Sequence, residues 1–136
     1  MSALAADPTF RFGCMIAASC LVFMGTVWLV LRRREQGPEL FPLLMVAAVV
    51  VAGGMSFARW GQNTGLPWGL YYTIPAALTW CVPPFVWRMR RGETVRYLVL
   101  SVLSAPAIHV TFALVLGWKE YMPFLPVPSL AELLQR

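Results

Sequence analysis

The chain has 136 residues, 59% of them hydrophobic and 12% charged, with a mean hydropathy of +0.66 and a formal net charge of +5. Soluble domains typically carry about 45–50% apolar and about 25% charged residues. The balance therefore argues against a soluble globular enzyme and against a disordered chain.

Residues 1–13 read as a short polar lead. It lacks the Lys/Arg-rich start of a cleavable signal and contains Asp7, so the apolar run after it reads as an anchor rather than a cleaved segment. That run, residues 14–31, stops hard at Arg32, Arg33 and Arg34. Gly37 and Pro38 then punctuate a turn over residues 35–39. A second apolar segment, residues 40–58, opens with Pro42 in its first turn, where a missing N–H costs nothing, and Glu39 beside it suits the helix dipole. Ala48 and Ala52 are spaced four apart, a small-residue pair that predicts a helix-contact face.

The third segment, residues 70–87, contains Pro75, Pro83 and Pro84. These predict a proline kink, with Pro83 and Pro84 as the place where the end unwinds; a re-entrant segment is the alternative. The fourth, residues 97–118, carries Pro106 and His109. Prolines through residues 119–128 predict an extended tail lying on the surface. Residues 129–136 predict one or two amphipathic turns, with Ser129 as N-cap and Glu132 three positions on.

All four segments are free of Asp, Glu, Lys and Arg. At about 1.5 Å per residue, 18 or more residues cover or nearly cover a hydrocarbon core about 30 Å thick. The expected fold is an all-α integral membrane protein, a single membrane domain of four transmembrane helices with short tails.

Charge and aromatics predict the orientation. Basic residues collect in the first connection (Arg32, Arg33, Arg34) and the third (Arg88, Arg90, Arg91, Arg96). The positive-inside rule makes that side cytoplasmic, with both termini and residues 59–69 outward. The arginines Arg32 to Arg34 and Arg88 to Arg91 would also meet anionic headgroups, and the positive charge calls for no nucleic acid. Trp28, Trp60, Trp68, Trp87, Trp118, Tyr71, Tyr72, Tyr97 and Tyr121 fall at or near segment ends, where interfacial aromatic belts form.

Catalytic material is scarce. His109 is the only ionisable imidazole, near the middle of the fourth segment, with Ser101, Ser104 and Thr111 nearby. It reads either as an intramembrane polar site or as a neutral ring bonded to a hydroxyl or carbonyl. Cys14, Cys20 and Cys81 have neither metal nor redox spacing and read as small hydrophobes. No phosphate-binding glycine loop and no Ser/His/Asp set can be assembled, so no enzyme activity, cofactor or metal is expected.

The run Gly37-Pro38-Glu39-Leu40-Phe41-Pro42 opening an aliphatic helix resembles the G-P-G-F-F-P motif of the small membrane subunit of tripartite tricarboxylate transporters (the TctB type). The order of a basic connection around Gly92, an apolar helix with Phe112 and Leu116, and then Leu125-Pro126 is similar to the end of the same family. Glu39 and Leu40 stand where the family has glycine and an aromatic, and the chain is shorter by about one helix. The resemblance implies a structural role for Pro38, Phe41 and Pro42. It also implies a large permease and a periplasmic solute-binding protein as partners, in a bacterial inner membrane. The function expected is a non-catalytic accessory subunit of a carboxylate uptake system. A self-associating small transporter or channel lined by His109, Ser104 and Thr111 is the alternative, and a small lipid- or quinone-linked membrane enzyme is the second.

Overall fold

The computed structural model describes residues 6–122 and 124–135. The start of the polar lead (residues 1–5), one tail proline (Pro123) and the last residue of the amphipathic end (Arg136) lie outside the described residues. Every regular element among those described is helical: α1 (Pro8–Leu31), α2 (Leu40–Asn63), α3 (Trp68–Val86), α4 (Arg91–Leu116) and the short α5 (Leu130–Leu134). Three of them, α1, α2 and α4, are long and apolar enough to cross a membrane, and a third or less of the most apolar stretch of each is buried. At 19 residues α3 is long enough, but three prolines, two tyrosines and two tryptophans lower its hydropathy and it does not join them. The chain divides into two compact units, Met1–Ser101 and Val102–Arg136.

In the first unit, α1 begins six residues before the apolar run at 14–31. The reason is local. Asp7 caps the helix, its Oδ1 accepting the Thr9 N–H at 2.9 Å, and Pro8 occupies N1, where its fixed φ suits a helix start. α1 buries one stripe, Met15, Ser19, Phe23, Val27, Val30 and Leu31. Phe23, Val27, Val30 and Leu31 form a core with Leu43, Ala47 and Val50 of α2 and Tyr97 of α4.

α2 extends beyond the apolar run at 40–58, reaching Asn63 through a π-helical turn, Ala48–Gly53. A π turn takes up extra chain and rotates the helix beyond it. The buried face runs Leu43, Ala47, Val50, Gly54, Gly61. The α2–α3 connection closes at Gly65, whose φ of +74° favours glycine, and the Leu66 N–H returns to the Gly61 carbonyl at 3.0 Å. The two helices then run back side by side: a Cβ on Gly54 would lie 3.2 Å from Pro75 Cβ, and one on Gly61 only 2.7 Å from Tyr71 Cβ.

α3 stays helical through Pro83 and Pro84 to Val86, so the expected unwinding does not occur. Proline at 83 cannot donate to the carbonyl four residues back, at Thr79. The Tyr97 hydroxyl donates to that carbonyl at 2.5 Å. Tyr97 is fully buried and meets Phe23 edge-on at 6.4 Å, so it is a core residue and not part of an aromatic belt. Its aliphatic neighbours tolerate the hydroxyl because that hydroxyl has a partner. The first six residues of α4, with Arg91, Glu93 and Arg96, precede the apolar run that starts at Tyr97.

The second unit holds the rest of α4, the tail and α5. α4 ends at Gly117 (φ +68°), whose N–H bonds the Ala113 carbonyl at 3.1 Å; the Trp118 N–H reaches the Phe112 carbonyl at 3.1 Å. That turn stacks Trp118 on Phe112, centroids 5.7 Å apart, and buries it, which removes a second residue from the expected belt. Trp28, Trp60 and Trp68 are exposed. The tail is irregular rather than an extended strand, with a Leu125 N–H to Met122 carbonyl turn at 3.0 Å. α5 carries the capping box of Ser129 and Glu132.

Glycine to alanine normally stabilises a helix by about 0.5–1 kcal/mol. At Gly61 the clash with Tyr71 Cβ outweighs that gain, so Gly61→Ala lowers thermal stability in detergent by about 1–3 kcal/mol. Gly25→Ala, with nothing within 4 Å of the new methyl, leaves stability unchanged or raised.

Candidate functional site

The two basic connections come together in the first unit. Arg34 donates through Nε to Glu93 Oε1 at 3.0 Å and through NH2 to Glu93 Oε2 at 2.5 Å, a bidentate pair. The same guanidinium donates to the carbonyls of Trp87 at 2.9 Å and Arg88 at 3.3 Å. Glu93 also accepts the Arg90 N–H at 2.8 Å, half of a capping box at the start of α4. One arginine from the first connection thus fixes the shape of the third. Its pair with Glu93 raises the guanidinium pKa, and the Arg34 hydrogen bonds pull the Glu93 carboxyl from 4.5 to about 2, aided by the Arg90 N–H.

Above this pair opens a cleft of about 660 Å³ lined by Arg33, Arg34, Glu35, Gln36, Arg88, Arg90 and Glu93. Four arginines face two carboxylates, and one of each sign is spent on the internal pair. Arg33, Arg88 and Arg90 remain exposed at the rim. Arg88 sits at φ +43°, a left-handed conformation that costs a non-glycine residue about 1–3 kcal/mol. Its carbonyl is held there by Arg34. Arg32 turns elsewhere, 5.9 Å over the Trp28 ring.

His109 forms a second polar tie, inside the second unit. The ring is fully buried. Nδ1 accepts the Met122 N–H at 3.2 Å, which leaves the proton on Nε2, 2.8 Å from the Leu125 carbonyl. A neutral imidazole presents one donor and one acceptor, and here both meet the backbone of the tail. The partners are main-chain groups, with no hydroxyl among them. Of the hydroxyls near it in sequence, Thr111 bonds back to the Ala107 carbonyl at 2.8 Å and Ser101 to the Leu98 carbonyl at 2.9 Å.

The other sequence-derived positions scatter. Ala48 is exposed and Ala52 half-buried; the close approach to α3 is made by Gly54 and Gly61. Leu43, Ala47 and Val50 pack with the α1 core, whereas Gly54 and Gly61, seven apart and beyond the π turn, face α3. Gly37 and Phe41 are exposed while Pro38 and Pro42 are half-buried; they shape the entry to α2 and reach no polar partner set. Cys14, Cys20 and Cys81 are free thiols, and Cys20 Sγ lies 3.9 Å from the Ala47 carbonyl. Among the described residues no group of three His, Cys, Asp or Glu side chains could hold a metal ion. Neither the tie made by Tyr97 nor the pairing of Arg34 with Glu93 is legible in the sequence. No residue-spacing rule predicts a bond across 59 positions, although Glu93 at the third position of an α4 starting at Arg91 is a visible capping signal.

No protein-family model, curated protein or solved structure matches the chain.

Because Glu93 has a lower pKa folded than unfolded, its pair stabilises the fold above pH about 4.5 and loses that contribution as pH falls from about 4.5 to about 2. In thermal unfolding of the detergent-solubilised protein, Glu93→Gln costs about 2 kcal/mol at neutral pH and flattens the profile across this window. His109→Leu leaves a peptide N–H and a carbonyl unpaired at a buried position, about 1–3 kcal/mol each. Limited proteolysis then cuts the tail of His109→Leu faster than that of wild type, with His109→Gln, which keeps a donor and an acceptor, falling between them.

Proposed function

We propose that this chain is an integral membrane protein of four crossings that serves as a non-catalytic accessory subunit of a membrane transporter. The observation that carries the reading is the state of His109. The one imidazole within the apolar part of the helices has both nitrogens committed to its own chain. It has no valence left for a solute, proton relay or cofactor without giving up the tail. A chain with so little free chemistry acts through a partner.

Three apolar helices of spanning length support membrane insertion. The meeting of the first and third connections supports a fourth crossing by α3, since an α2–α3 pair that goes over and returns puts those connections on one face. Lipid and neighbouring protein would cover its prolines and aromatics, and Tyr97 already covers the carbonyl that Pro83 frees. The positive-inside rule then sets both basic connections in the cytoplasm and both termini outward, across a bacterial inner membrane. The resemblance of residues 37–42 to the small subunit of tripartite tricarboxylate transporters names the partner class as a large permease, served by a periplasmic binding protein.

The test is a mild-detergent pull-down of the full chain from its own membrane, with mass spectrometry of the retained proteins. The expected result is a polytopic membrane protein several times larger, together with no solute flux through liposomes holding this chain alone. Flux by the pure chain that disappears in His109→Ala overturns the accessory reading in favour of a self-associating channel.

A further inference from the structure

We propose that the cleft between the two basic connections is a binding site for an anionic phosphate group, held by Arg33, Arg88 and Arg90. This deepens the membrane reading above and rests on it. The positive-inside rule alone requires only that arginines be on one side; any arginine there would serve equally. The structure is more specific. Arg34 is consumed internally, and its four hydrogen bonds fix the floor of the cleft and the path of residues 87–93. Arg88 is held at φ +43°, where glycine would be at ease. Backbone strain of this kind persists where the surroundings over-determine it, and an arginine kept there presents its guanidinium to the cleft at a cost in stability. Arg33, Arg88 and Arg90 all line the same space of about 660 Å³. Guanidinium forks match phosphate oxygens better than they match a monovalent halide. Glu35 at the rim opposes a fully anionic occupant, but three cations outnumber it.

Two sources supply such a group, a membrane phospholipid and a soluble phosphate. The surroundings favour the lipid. Leu29, Phe85 and Val86, close in sequence to the cleft arginines, are exposed at 43%, 86% and 44%. An acyl chain held by Phe85 and Val86 would meet residues three and two positions before Arg88 in the chain.

The experiment uses the full-length protein in vesicles of phosphatidylcholine containing a minor fraction of phosphatidylglycerol, with co-purified lipid quantified after gentle extraction and native mass spectrometry. Inorganic phosphate and glycerol 3-phosphate form the soluble arm. Wild type is expected to retain phosphatidylglycerol in preference to phosphatidylcholine. Arg88→Gln or Arg90→Gln lowers that preference about fivefold each, and the double variant about 25-fold. Arg96→Gln and Arg11→Gln, which remove the same charge outside the cleft, leave it unchanged. Arg88→Gly raises the melting temperature while weakening retention, the opposite of what loss of a merely structural arginine does. Saturable binding of inorganic phosphate with the same arginine dependence, and no lipid preference, assigns the site to a soluble phosphate. Equal losses from Arg96→Gln and Arg88→Gln overturn the proposal, because the charge then acts diffusely. A chain that enters pure phosphatidylcholine vesicles but shows no anion preference defeats the site while leaving the membrane reading intact; a chain that enters neither vesicle defeats both.

Discussion

In a chain this apolar, main-chain polar groups released from helical pairing have few side chains to turn to, and the structure depends on how those few are placed. Pro83 strips the Thr79 carbonyl of its donor, and the Tyr97 hydroxyl supplies one. The tail leaves regular structure after α4, and the His109 ring answers one N–H and one carbonyl of it. The third connection turns sharply after α3, and Arg34 takes the carbonyls of Trp87 and Arg88. At buried positions each such group left alone costs about 1–3 kcal/mol, so Tyr97 and His109 govern where the buried backbone can depart from a helix, while Arg34 shapes a connection open to solvent. Among the described residues no buried side-chain nitrogen or oxygen lacks a partner.

Each of these side chains is matched to its task by donor count. A phenol gives one hydrogen to one orphan carbonyl. A neutral imidazole gives one and takes one, which suits a turn that exposes both kinds of group at once. A guanidinium gives several, which suits a junction where two carbonyls and a carboxylate converge. Lysine at 34 would keep the charge but lose the planar fork that engages both Glu93 oxygens. Leucine at 97 or 109 would satisfy hydropathy and strand the backbone.

The large features were legible through absence of charge. Uncharged runs located all four long helices, because a helix with no charged residue for 18 positions has little else to be. Hydropathy misplaced their ends, because helix ends are set by caps. Asp7 and Pro8 started α1 early, Glu93 started α4 early, and Gly117 closed α4 before the last apolar residue of the run at Trp118. Tyr97 and Trp118 were misjudged for the same reason: position near a segment end says nothing of whether a ring points outward or is folded back by a tie or a glycine cap. The π turn divides the contact faces of α2, since a four-residue rule assumes an unbroken period: Ala47 before it packs toward α1, and Gly54 and Gly61 after it pack toward α3. The grouping of the basic connections followed from charge; the Arg34–Glu93 bond that shapes them did not, since pairing over long separations depends on packing.

That bond also explains why the rim arginines are free to face outward. Opposite charges drawn together at random along two loops would neutralise one another, and a loop rich in arginine would otherwise fold onto its nearest carboxylate. Glu93 is the carboxylate nearest in sequence to Arg88, Arg90 and Arg91, yet it is occupied twice, by the Arg34 side chain and by the Arg90 N–H. Its oxygens therefore already accept three hydrogen bonds, and the Arg90 charge acts on it only through space. The pair ties the connection down and leaves Arg33, Arg88 and Arg90 exposed at the rim, and the left-handed turn at Arg88 is the local strain that accompanies this arrangement.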